Sequence, residues 1–134
     1  VKEKEITLQL ARELKGRLAA NGRVRIALTR DEDRTMDLAS RAAIARRLGA
    51  DLFVSLHADS APNPAARGAS IYSVSEVASD ADAARFAAAQ NGSEGAVTTV
   101  SDGSVRALLA DLAARDEMTN SAIFAARLVS KSAN

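Results

Sequence analysis

Apolar positions repeating every fourth residue predict a helix near the amino terminus, over residues 4–20. The repeat consists of Ile6, Leu10, Leu14 and Leu18, with charged residues between them. Similar spacing predicts helices over residues 38–48 and 80–90. A last apolar stripe predicts one long helix or two over 104–130, and a shift in its phase favours a break near residues 115–120.

Short apolar runs between these helices predict strands. The runs cover residues 24–29, 52–56 and 70–74. Helices that alternate with short apolar strands are typical of a mostly parallel sheet. We therefore expect an α/β fold, with a mostly parallel twisted sheet covered by helices on both faces, in a single domain over residues 1–134.

The composition excludes several kinds of site. The net charge is +1 and aromatic residues make up 3% of the chain, which gives no support for nucleic-acid binding. The chain has no cysteine, so disulfides and thiolate metal sites are excluded. No apolar run approaches the roughly 18 residues of a membrane-spanning helix, and the first residues do not have the pattern expected of a signal peptide. Because the chain starts at Val1 and not at Met, we expect a mature or trimmed piece.

The only histidine of the chain, His57, lies in the stretch LFVSLHADS at the end of the second predicted strand. Such a residue is either a structural hydrogen-bonding group or a metal ligand. Open α/β sheets place their sites at the carboxyl ends of strands. Asp59 follows at that edge, and Arg30 ends the preceding strand. A catalytic zinc needs about three protein ligands, and Glu3 is the best-placed carboxylate, although it equally suits a surface acid that complements the helix dipole.

Three stretches of the chain resemble zinc-dependent N-acetylmuramoyl-L-alanine amidases of the amidase-3 family. They are EKEITLQLA, LTRDEDRTMDLASRAAIARRLGADLFVSLHAD and ARGASIYSVS, and together they cover about residues 2–75. Two later stretches, FAAAQNGSEGAV and VRALLADLAARDEMTNSAIFAARLV, resemble the insert of the division-associated periplasmic members. The resemblance implies zinc-dependent hydrolysis of the amide between N-acetylmuramic acid and L-alanine in peptidoglycan, in the periplasm, during daughter-cell separation.

The resemblance also implies roles for particular residues. In the family, zinc is held by two histidines and a glutamate, and a second glutamate acts as acid and base. The second histidine falls on His57 and the metal-binding glutamate on Glu3. The first histidine and the catalytic glutamate have no counterpart in the chain, which would then be truncated at both ends and inactive by itself. Arg30, Asp59 and Arg67 would support the edge of the site, the two arginines chiefly as structural residues.

The insert implied by the resemblance covers about residues 79–120 and would be a helical regulatory segment that closes the site. Glu94 would then take the open position of the zinc, unless it is a solvated loop acid. Three leucines, Leu108, Leu109 and Leu112, would either bind an activator protein or pack on the sheet. A second hypothesis for the chain is a non-catalytic α/β module that binds the cell wall or an activator without cleaving.

Overall fold

A computed structural model describes residues 2–58, 65, 67–75, 79–91 and 105–132 of the chain. The chain divides into two compact units, Val1–Ala66 and Arg67–Asn134. The first unit contains helices α1 (Glu3–Asn21) and α2 (Leu38–Arg47). The second unit contains helices α3 (Ala81–Asn91) and α4 (Val105–Ser132). The helices predicted over 4–20, 38–48 and 80–90 are therefore confirmed.

Helix α1 has well-defined caps at both ends. At its start, the backbone N–H of Lys2 donates to the carboxylate of Glu5 at 3.3 Å. Glu3 and Glu5 both lie in the first turn, where negative charge complements the helix dipole. The helix ends at Gly22, whose φ of 71° is left-handed and whose N–H donates to the carbonyl of Ala19 at 3.1 Å. The cap at the start of the helix stabilises the first turn of α1, on which Glu3 lies.

Helix α2 begins at an aspartate cap. The Asp37 carboxylate accepts the backbone N–H of Ser40 at 2.7 Å and the Ser40 hydroxyl at 2.8 Å. The bond from the backbone N–H, followed by the bond from the hydroxyl, lowers the pKa of Asp37 below its ordinary value. Gly49, with a φ of 59°, follows the end of the helix. The sequence prediction of this helix is thus confirmed.

The predicted α/β fold, with its mostly parallel twisted sheet, is wrong for the part of the chain that the structure describes. None of the runs at residues 24–29, 52–56 and 70–74 forms a strand, and the described residues include no strand at all. A strand exists only where a neighbouring strand completes its hydrogen-bond ladder. An apolar run shows that its own side chains are apolar, but it does not show whether another strand lies beside it. Val24 and Phe53 accordingly remain 53% and 47% exposed, and none of the residues whose burial the structure describes is buried.

The described residues of the second unit lie mainly in its two helices. Helix α3 is preceded by Asp80, whose carboxylate accepts the N–H of Ala83 at 2.8 Å. Helix α4 runs through 28 residues without the predicted break. The segment 67–75 contacts α4, since the N–H of Val74 donates to the hydroxyl of Ser121 at 3.3 Å. In the ranges that the structure describes, no helix combines the length and the hydropathy needed to span a membrane.

Candidate functional site

The structure brings Glu3 and His57 together although they lie 54 residues apart in the sequence. The Glu3 oxygen Oε1 is 3.3 Å from Nδ1 of the His57 ring. The same oxygen accepts the backbone N–H of Ala58 at 3.1 Å. Two contacts, one to the ring and one to the backbone beside it, therefore attach the first residue of α1 to the segment that carries the only histidine.

The other ring nitrogen of His57 faces a serine. Nε2 of His57 lies 3.1 Å from the Ser55 hydroxyl. The His57 side chain is 22% exposed, so the ring is partly shielded from water. Sequence reasoning did not select Ser55 or the Ala58 N–H. Ser55 could have been found from the strand predicted over residues 52–56, because residues two apart on a strand lie on the same face. A backbone N–H cannot be recognised in the sequence, because nearly every residue has one.

Arg30 connects the loop after the first apolar run to the first turn of α1. Its guanidinium donates to the backbone carbonyl of Lys4 at 2.7 Å and to the carbonyl of Glu32 at 3.2 Å. A longer contact of 3.4 Å reaches the Thr7 hydroxyl. The planar guanidinium offers five donors in a fixed arrangement, so it can bridge two backbone segments. Arg30 thus holds the helical turn on which Glu3 lies.

Two ion pairs join the same loop to α1. Lys4 pairs with Asp33 at 2.5 Å, and the hydrogen bond from Lys4 is the main cause of the lowered pKa of Asp33. Arg12 pairs with the Asp31 carboxylate at 3.2 Å and also donates to its carbonyl. The side chains of both pairs are largely exposed, so each pair stabilises the loop only weakly.

The distance between Glu3 and His57 is compatible with both side chains binding the same zinc ion. Zinc binds imidazole nitrogen and carboxylate oxygen at about 2.0–2.2 Å with tetrahedral geometry, which separates two ligand atoms by about 3.3–3.6 Å. The Oε1–Nδ1 distance of 3.3 Å falls at the short end of that range. In the described ranges, however, no group of three or more His, Asp or Glu side chains is placed to hold a metal ion. The residues therefore fit part of a zinc centre.

The remaining predicted site residues fall in different parts of the chain. Asp59 and Glu94 lie outside the described residues. Arg67 is the first residue of the second unit, with an exposed side chain. The leucines of the predicted activator surface, Leu108, Leu109 and Leu112, all lie on α4. Leu109 and Leu112 are 61% and 57% exposed.

A family model and several curated proteins that match the chain carry the same description. A family model described as N-acetylmuramoyl-L-alanine amidase matches residues 1–130. The chain is 34% identical to the N-acetylmuramoyl-L-alanine amidase AmiA of Escherichia coli K12 over 97% of its length and 46% of that protein. It is 40% identical to the N-acetylmuramoyl-L-alanine amidase AmiC of Neisseria meningitidis serogroup B, over 64% of its own length and 20% of that protein.

A further match is an endolysin of Bacillus phage SPP1, 40% identical over 46% of the chain and 23% of that protein. No solved structure matches the chain. The chain spans about half the length of AmiA and about a fifth of AmiC. Because the family model covers almost the whole chain, the match does not depend on one short motif. The chain belongs to the amidase-3 family of N-acetylmuramoyl-L-alanine amidases.

Proposed function

We propose that this chain forms part of the catalytic domain of a zinc-dependent peptidoglycan amidase, which hydrolyses the amide between N-acetylmuramic acid and L-alanine. Glu3 and His57 serve as two of the protein ligands of the zinc. The observation that carries the proposal is the 3.3 Å approach of the Glu3 carboxylate to the His57 ring. Membership of the amidase-3 family supports the substrate class.

In this proposal, the residues of the chain bind the zinc ion and orient its ligands. A bound zinc ion supplies Lewis-acid chemistry, since it polarises a carbonyl group and makes water more acidic. Glu3 and His57 hold the ion, and the Ala58 N–H fixes the Glu3 oxygen that faces the ring. A third ligand and an acid–base group are also required. Because none of the residues assigned here supplies the third resident ligand or the acid–base group, the 134-residue chain is inactive by itself in this proposal.

Regulation and location form the second part of the proposal. The segment over about residues 79–120 limits access to the zinc, with Glu94 as its ligand in the closed state. An activator protein binds α4 near Leu108, Leu109 and Leu112, and the enzyme acts in the periplasm during daughter-cell separation. The helical character of α3 and α4 and the exposure of Leu109 and Leu112 support this part. Arg67 and Asp59 support the edge of the site.

Arg30 acts on the site through the helix in this proposal. Arg30→Met removes the hydrogen bond to the Lys4 carbonyl, and we expect zinc affinity to fall about 10-fold, at the low end of the effect of groups that orient metal ligands. Arg12→Met breaks another arginine link between the same loop and α1, more than two turns from Glu3, and should change zinc affinity less than about 2-fold. Zinc titration followed by the backbone amide signal of Ala58 measures both. Equal losses in the two variants would mean that Arg30 only anchors the loop.

The amidase activity itself is tested in a hybrid protein. In this hybrid, the chain replaces the matching segment of Escherichia coli AmiA, which aligns with 97% of it. We expect the hybrid carrying Glu94→Ala, which removes the proposed closing ligand, to release stem peptides with a free L-alanine amine from purified peptidoglycan. A chelator should abolish the release, and added zinc should restore it. Mass spectrometry of the products identifies the bond that is cleaved.

Two further measurements make the hybrid test decisive. Far-UV circular dichroism reports whether the hybrid is folded, and equilibrium dialysis of the 134-residue chain measures its zinc binding directly. A folded hybrid that binds peptidoglycan without cleaving it would favour the non-catalytic module. A chain that does not bind zinc at millimolar concentration would contradict the proposed ligand role of Glu3 and His57.

A further inference from the structure

Ser55 and Glu3 contact opposite nitrogens of the His57 ring. The Ser55 hydroxyl is 3.1 Å from Nε2, and the Glu3 carboxylate is 3.3 Å from Nδ1. Ser55 precedes the ring by two residues in the same non-helical segment. The ring is therefore held between a local hydroxyl and a carboxylate from α1.

The chemistry of the two partners determines which nitrogen carries the hydrogen. A neutral imidazole has one N–H donor and one acceptor nitrogen, and an ionised carboxylate only accepts. The contact with Glu3 therefore places the hydrogen on Nδ1, and the Ser55 hydroxyl then donates to Nε2. A metal ion beside Glu3 would instead need the lone pair of Nδ1, which requires the hydrogen to be on Nε2. A hydroxyl can rotate and accept that hydrogen, because it is both donor and acceptor.

We propose that Ser55 is a positioning residue that holds His57 for metal binding through Nδ1, by accepting the hydrogen of Nε2 in the metal-bound state. The proposal rests on the metal role of His57 proposed above. Metal-bound histidines generally donate their second N–H to an oxygen acceptor, which fixes the ring orientation. Ser55 is the residue of the described structure that faces Nε2 at hydrogen-bonding distance. Its hydroxyl serves either hydrogen arrangement without any movement of the backbone.

The test uses the fact that the chain contains one histidine. In a sample labelled with nitrogen-15 in histidine, long-range proton–nitrogen NMR spectra show a single imidazole ring. We expect zinc to shift Nδ1 in the unmodified chain and to leave Nε2 with the signal of an N–H nitrogen. Ser55→Ala should lower zinc affinity about 10-fold and should produce a mixture of Nδ1-bound and Nε2-bound forms. Ser55→Thr keeps the hydroxyl and should restore both properties.

Ser73→Ala is the matched control, since it removes a serine hydroxyl from a non-helical segment of the other unit. It should leave zinc affinity and the ring signals unchanged, and circular dichroism should show equal helix content in all variants. Wild-type affinity and wild-type ring signals in Ser55→Ala would overturn the proposal, as would zinc binding at Nε2 in the unmodified chain. An unmodified chain whose ring does not respond to zinc would overturn the proposed metal role as well, so the two failures are distinguishable.

Discussion

Replacement of His57 by alanine is expected to lower the zinc affinity of the chain by about 100-fold. A structural zinc site with four ligands provides roughly 10–16 kcal/mol of binding free energy, or about 3 kcal/mol for each ligand, which corresponds to about two powers of ten. The variant loses the imidazole and leaves the Glu3 carboxylate, which is 46% exposed. Equilibrium dialysis with zinc quantification measures the difference directly.

His57→Cys is the informative companion variant. A thiolate is a good zinc ligand with a slightly longer bond than imidazole, so this variant should retain zinc binding within about 10-fold of the unmodified chain. In the hybrid with AmiA, His57→Ala should abolish peptide release while the helix content is unchanged. Zinc binding by His57→Ala that equals that of the unmodified chain would show that His57 is not a ligand. The alternative, a structural ring that contacts Glu3 and Ser55, would then be the role of His57 that the structure supports.

The helices were predictable because their signals are local. The four-residue spacing from Ile6 to Leu18 defines a helix face whatever the rest of the chain does. The end of α1 follows from Gly22, which adopts the left-handed conformation that glycine tolerates. The start of α2 follows from Asp37, whose side chain accepts the N–H of Ser40. Periodicity and caps are properties of a few consecutive residues, and the sequence contains them in full.

The sheet was not predictable in the same way, because a strand depends on residues far away in the chain. The run from Leu52 to Leu56 has the composition of a buried strand, yet Leu52 and Val54 are each 48% exposed. Their apolar side chains determine a tendency to be buried. They do not determine which segment, if any, provides the hydrogen-bond partners or the covering helix. The step from apolar runs to a parallel sheet therefore went beyond what the pattern contains.

The candidate site could be predicted from the sequence only in part. The residue types of Glu3 and His57 and the family resemblance selected them from sequence, and the structure places them in contact. The contacts that hold these two side chains in place could not be predicted in the same way, because they involve backbone groups. The Ala58 N–H and the Lys4 carbonyl are backbone groups, which every residue except proline has in full, so no residue type marks them. Sequence can select the side chains of this site, but only coordinates show which backbone groups orient them.

The second large effect is expected for Glu3→Gln, which should lower zinc affinity by about 100-fold, because the amide of glutamine is a much poorer zinc ligand than a carboxylate. The substitution preserves the shape of the side chain. The amide oxygen of Gln can still accept the Ala58 N–H, so the link between α1 and the His57 segment is retained. The loss of affinity should therefore come from the ligand itself, and equilibrium dialysis with zinc measures it.

Glu5→Gln provides a matched control within the same helical turn. Both substitutions remove one negative charge from the first turn of α1, so both weaken the favourable interaction with the helix dipole to a similar extent. Gln at position 5 can still accept the Lys2 N–H, as glutamine does in capping boxes. We expect Glu5→Gln to change zinc affinity by less than about 3-fold. Similar losses in both variants would assign the effect to charge at the helix start, whereas a loss confined to Glu3→Gln would identify Glu3 as the ligand.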